Sequence, residues 1–385
     1  MFESRPDWHA ADLGDLPPLN KSELGSYHET LSELQKYATS LLDADSALYS
    51  SKHLSATSSH RFLATIMTSG TLADKISALT LVVQESPVHT TKSFQSLLEL
   101  AKKRSRGQAV TALGAMKDLL GAGVVLPANR RLYDFRSQPG LLGTLQNEAS
   151  RNWRVGDELP GAITKAHLIS WAYEDWLKKA YFEMLKILEG WCNDEVEFAR
   201  TQALTFVFEL LRDKPEQETN LLRLLVNKLG DPEKKIASKA SHFILKLQET
   251  HPAMRMIVVK AIESELLLRP NQGTHARYYA INTLNQTILS TKEEEVAKKL
   301  LQIYFDLFVH LLKKPDVAKL QAGPVINKKG QLQGGGGQKG KKAQEKADKE
   351  VLAKLASEET TEKMISAILT GVNRAFPFSG SEDNA

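Results

Sequence analysis

Apolar residues recur at helical spacing along most of this chain. Leu31, Leu34, Leu41, Leu42 and Leu48 mark a helix between Ser26 and Ser50. After a serine-rich break, short helices are expected over Arg61–Met67 and Leu72–Glu85, the second stopped at Pro87. Phe94, Leu97, Leu98 and Leu100 place another over Lys92–Lys103. Ala109, Ala112, Leu113, Met116, Leu119 and Leu120 share one face of a helix over Gly107–Leu120. From His167 the pattern becomes regular. Helices at 167–191 and 194–211, 218–229 and 231–249, and 252–268 and 275–289 read as consecutive pairs, followed by a long helix at 293–313. A last periodic stretch, 351–376, carries Val351, Leu352, Leu355, Met364, Ile365, Ile368, Leu369 and Val372.

Two of these segments repeat each other without a gap. Asp194–Pro215 and Asp231–Pro252 lie 37 residues apart, and Ala203/Ala240, Phe206/Phe243 and Leu210/Leu247 coincide, as do the opening Asp and the closing Pro. An Asp that can cap, small and apolar residues at helical spacing and a proline stop describe the second helix of a HEAT-type hairpin. The predicted fold class is therefore all-α, an α-solenoid of five or six HEAT/armadillo-like helical hairpins. The predicted organisation is an extended arm and N-terminal helix (1–60), first hairpins (61–120), a basic irregular insertion (121–165), HEAT-like repeats (166–315), a basic Gly/Lys-rich linker (316–350) and the start of a further domain (351–385). An apolar helix after such a linker calls for a partner, so the chain reads as part of a longer protein.

Composition narrows the chemistry. The chain is 42% hydrophobic and only 7% aromatic, which suits packed helices. Its one cysteine, Cys192, excludes a disulfide framework and points to a reducing compartment. No run approaches a membrane span, and the N-terminus lacks a signal-peptide pattern. The formal net charge of +4 is unevenly distributed: 92–154 carries 11 basic and 4 acidic residues, and 328–350 carries 7 and 3. Such patches suit a polyanion at defined places.

The sharpest candidate is the KKRSR cluster, Lys102, Lys103, Arg104 and Arg106, set between two helices where phosphate oxygens can meet cations and free amides. A solvated helix end balancing its own dipole is the alternative. Arg130, Arg131, Arg136, Arg151 and Arg154 extend the candidate set through the insertion, interleaved with Tyr133, Phe135 and Trp153. Those aromatics either stack on bases of structured RNA or anchor the insertion. Tyr304, Phe308, Leu311, Met364, Ile368 and Phe376 are the candidate protein-partner residues, at the edge of the array and on the final helix. Gly335–Lys342 (GGGQKGKK) matches part of a P-loop but has Lys342 where a magnesium-binding hydroxyl belongs and no strand before it, so it reads as linker. His242, His275 and His310 sit beside aromatics and read as packing residues. No catalytic constellation, metal site or cofactor motif emerges, and an enzyme is not expected.

Three stretches resemble the CCAAT-binding-factor family of nucleolar complex (Noc) proteins: Gly70–Leu113, His275–Leu289 (HARYYAINTLNQTIL) and Lys363–Phe378 (KMISAILTGVNRAFPF). The resemblance implies a nucleolar assembly factor for the large (60S) ribosomal subunit. It would bind early pre-rRNA, pair with a second Noc protein as a heterodimer, and meet pre-60S assembly factors and ribosomal proteins. A protein-only transport or signalling solenoid and a transcription coactivator are the alternatives. No helix-turn-helix, zinc-finger or basic-zipper pattern supports direct base reading in DNA.

Overall fold

A computed structural model of the chain describes residues 2–19, 27–54, 58–147, 152–270, 272–313 and 361–380. The described residues are helical, apart from turns, extended segments and one isolated bridge between Val155 and Asp157. The chain divides into two compact units, Met1–Leu225 and Val226–Ala385. The predicted linker 316–350, with its P-loop-like run, lies outside the described residues, as does 351–360.

In the first unit, α1 (His28–Tyr49) packs along α7 (Lys165–Cys192), the longest helix of the unit. At 28 residues, α7 is about 42 Å long. It opens on a capping box in which the Thr164 hydroxyl accepts the His167 amide, and His167 Nδ1 accepts the Thr164 amide. Leu168, Leu177, Tyr181, Met184, Leu188 and Cys192 form its buried stripe. The short α2 (Ser58–Ser69) precedes three helices that pack on one another, α3 (Leu72–Glu85), α4 (Thr91–Ala101) and α5 (Arg106–Leu120). α3 also begins in a capping box, with Thr71 as the cap and Asp74 as the third helical residue. α8 (Glu197–Asp213) closes on α5 and α7.

The irregular segment after α5 is packed down by buried side chains and contains an unpredicted helix, α6 (Leu141–Asn147). Phe135 and Trp153 are buried, Phe135 edge-on to Trp171 and Trp153 donating its Nε1–H to the Glu158 carbonyl (2.9 Å). These aromatics anchor the segment. The N-terminal arm lies across it. Trp8 is buried, donates to the Val125 carbonyl (2.8 Å) and meets Tyr173 edge-on. Leu16 sits so close over Gly140 that a Cβ there, at φ +81°, would come within 2.3 Å of it.

After α9 (Glu218–Asn227), the second unit carries α10 (Lys234–Thr250), α11 (Arg255–Ile262) extended by a π-helical turn, α12 (Thr274–Asn285), α13 (Glu294–Lys313) and α14 (361–375). The bounds of α8 and α10 differ by 37 residues at both ends, as the repeat requires. The helix starts lie three residues beyond the predicted caps. Asp194 and Asp231 instead accept the amides two residues on, from Val196 (2.7 Å) and Glu233 (3.0 Å), and shape the turn into each helix. α14 packs on α12 and α13: Asn285 donates to the Ala367 carbonyl (2.8 Å), accepts the Tyr304 hydroxyl (2.7 Å), and Met364 and Ile368 are buried.

Candidate nucleic-acid interface

The α4–α5 connection is short because α4 ends in a tight turn. The amides of Lys102 and Lys103 reach back to the carbonyls of Leu98 and Leu100, and Ser105 turns the chain into α5. Four cations are thereby thrown outward over five positions. The last turns of α7 face them, and together they form an open cleft of about 550 Å³ lined by Lys102, Lys103, Arg104, Arg106 and Lys186, by the acidic Asp194, and by Ala101, Ile187, Gly190 and Trp191. Trp191 is fixed in place by its Nε1–H bond to the Ala101 carbonyl (3.2 Å).

The cations differ in how they are held. Arg106 donates through Nε to both oxygens of Asp194 (3.0 and 3.2 Å). Burial opposes ionisation of Asp194, but the Val196 amide and the Arg106 guanidinium outweigh it and hold the carboxyl below the usual range. Lys102 pairs with Glu99 (2.9 Å), and Lys186 pairs with Glu183 (2.7 Å) while lying over the Phe182 ring. Exposed pairs of this kind are weak and exchange readily for a phosphate. Lys103 and Arg104 are exposed and make no ion pair among the described residues.

The arginines of the segment after α5 are placed elsewhere. Arg130 binds the buried Glu174 carboxylate and lies over the Tyr133 ring, and Arg131 binds Glu218 (2.6 Å). Glu174 and Lys186 are twelve positions apart on α7, about 18 Å along the axis. Arg136 meets His28 at 3.3 Å, Arg154 is exposed, and Arg151 lies outside the described residues. Sequence reasoning named the cationic rim of the cleft but missed Lys186 and Trp191, which α7 supplies from more than eighty residues away.

In the second unit, Tyr304, Met364 and Ile368 are buried inside the α12–α13–α14 packing, and burial pushes the Tyr304 hydroxyl well above its ordinary pKa. Phe308 and Leu311 are half-buried. Phe376 is exposed, as are Val309, Leu369 and Phe305; at Phe305 the helical spacing reads as core, and the structure corrects it because that side of α13 faces solvent. Of the histidines expected to pack, His242 and His310 are exposed, and His275 lies against Tyr279 with its Nε2 buried and without a hydrogen-bond partner.

One further constellation escaped the sequence. The Ser86 hydroxyl meets His89 Nδ1 (2.7 Å), and His89 Nε2 meets Asp45 Oδ2 (3.3 Å). The order resembles a hydrolase triad, but all three residues are buried, Ser86 completely. Asp45 also takes the Phe2 amide (2.7 Å), and Tyr49 stacks on the imidazole. The group joins the arm to α1 and to the turn before α4. No cluster of three or more potential metal ligands occurs among the described residues, and no helix there is long and apolar enough to cross a membrane.

No protein-family model matches the chain. It is 52% identical over 387 residues to "Ribosome biogenesis protein NOC1" of Chaetomium thermophilum, a match that covers all of this chain and 36% of that protein. It is 35% identical to human "CCAAT/enhancer-binding protein zeta", over 92% of this chain and 29% of that one. Drosophila melanogaster "Nucleolar complex protein 1" is 30% identical over 66% of this chain and 21% of its own length. The chain thus spans about a third of the length of the curated relatives it matches. With whole-chain identity of this order, it belongs to the CCAAT-binding-factor/nucleolar complex family.

Proposed function

We propose that this chain is a non-enzymatic scaffold segment in ribosome biogenesis, acting in nucleolar precursors of the large (60S) subunit. The observation that carries the reading is the cleft between α4–α5 and α7, where exposed Lys103 and Arg104 have no ion partner among the described residues. Lysine and arginine in this setting suit phosphate oxygens of pre-rRNA. The names of the relatives support the assembly role, and a nucleolar location follows from the same source. In this reading the helices of 61–120 and 166–315 are HEAT-like hairpins, 121–165 is an insertion, and Arg131, Arg136, Arg151 and Arg154 add weaker contacts to rRNA. Arg130 supports the insertion through Glu174.

A second Noc protein is the proposed heterodimer partner, with other pre-60S factors and ribosomal proteins around it. Phe308, Leu311 and Phe376 would take part directly. Tyr304, Met364 and Ile368 would shape that surface from beneath, because they are buried. The test is ultraviolet crosslinking in cells, with sequencing of the attached RNA and mapping of the crosslinked peptides. Large-subunit precursor rRNA attached to peptides within 92–154 and 182–191 is the expected result. Clean recovery of the protein with RNA at background would overturn it in favour of a protein-only scaffold, and promoter DNA in place of rRNA would favour a coactivator.

A further inference from the structure

We infer that the cleft at Lys102–Arg106 receives an unpaired nucleotide, its base resting on Trp191 and Ile187 above Gly190 and its flanking phosphates on Lys102, Lys103 and Arg104. The inference rests on the RNA reading above and narrows it to single-stranded RNA. A cationic rim alone would serve any polyanion, so the floor decides. That floor is formed by two half-buried apolar side chains, Ile187 and Trp191, beside the exposed Gly190, and the indole is already fixed by the bond to the Ala101 carbonyl. Little ordering is left for a ligand to impose. Gly190 keeps the floor open: a Cβ built there meets no atom within 4 Å.

Duplex RNA keeps its bases stacked and presents phosphates and 2′-hydroxyls, so it can touch the rim but cannot fill the floor. An unpaired base can do both, because every base offers a flat face to an aromatic ring. The cleft's volume of about 550 Å³ lies in the range of small-ligand pockets. An acidic peptide would use the rim and leave the floor empty.

The experiment measures binding of the 385-residue chain to three probes: an unstructured RNA of about twelve nucleotides, an RNA duplex of about 16 base pairs and a glutamate-rich peptide. The deciding variant is Gly190→Leu. Its Cβ meets no atom within 4 Å and it replaces an exposed helix glycine with a better helix former, so the fold is expected to be kept, as circular dichroism checks. It is expected to weaken single-strand binding about tenfold and to leave duplex binding unchanged. The double variant Lys103→Glu/Arg104→Glu is expected to weaken both RNAs. Unchanged single-strand affinity in Gly190→Leu, with loss in the charge reversal, would overturn the nucleotide pocket and leave the RNA reading standing. If neither variant weakens RNA binding, both fall. A glutamate peptide that outcompetes RNA would reassign the cleft to an acidic protein.

Discussion

Asp45 shows how much can rest on one carboxylate. It accepts from the Phe2 amide and from His89 inside the protein, so removing it takes a buried acceptor away from both. Asp45→Ala is expected to cost about 2–4 kcal/mol, read as a lower urea midpoint. A change below about 0.5 kcal/mol would show the group to be dispensable. Nothing at the sequence level marks Asp45, because its partners lie 43 and 44 positions away on separate segments. Two other histidines give the arm a pH dependence. Burial holds both His9 and His167 below the ordinary value of 6.5, with Arg130 and Lys214 adding to the effect at His9; the Val124 and Gly14 backbones and Asp7 oppose it. The folded state thus favours the neutral rings, and the unfolded chain binds protons first as pH falls. Their contribution is full above about pH 6.5 and is lost below it. Amide protection factors in residues 2–19 are therefore expected to fall between pH 7.5 and 5.5, and His167→Gln to flatten that fall. A rise on acidification would contradict the sign.

At the scale of elements, period and punctuation carried most of the information. The 37-residue repeat placed α8 and α10 to within a few residues, since Ala203 and Ala240 allow close helix approach and Pro215 and Pro252 end the runs. The helix starts were less legible, because an aspartate can cap a helix or shape the turn before it, and only tertiary packing decides. α6 was missed because seven residues make too short a window for a period, and it follows Pro139 and Gly140. Gly371 is a position where an element depends on one missing atom. A Cβ there would lie 2.5 Å from both the Tyr304 ring and Asn285 Oδ1. Gly371→Val is expected to lift α14 from α12 and α13, at a cost of about 1–3 kcal/mol or more. Faster proteolysis within 361–380, with the first unit unaffected, is the measurement. Wild-type cleavage rates would mean the helix shifts to accommodate the side chain.

For the whole molecule, charge distribution rather than net charge predicts behaviour. The basic half of the cleft was legible as KKRSR because like charges cluster in sequence. Its apolar floor was not, since Trp191 and Gly190 look like ordinary helix residues until α7 is set against the α4–α5 turn. RNA affinity is expected to fall linearly in log–log form with salt, and Lys103→Glu/Arg104→Glu to reduce the slope by roughly 1–2. An unaltered slope would place the phosphate contacts elsewhere. Cys192, buried at the end of α7 next to Trp191, has one more consequence. As the single thiol in these 385 residues, it is a built-in chemical clock: a disulfide-exchange reagent can modify it only when that end of α7 opens. Its labelling rate, with and without RNA, would therefore measure how firmly a ligand clamps the cleft, with no probe added to the protein.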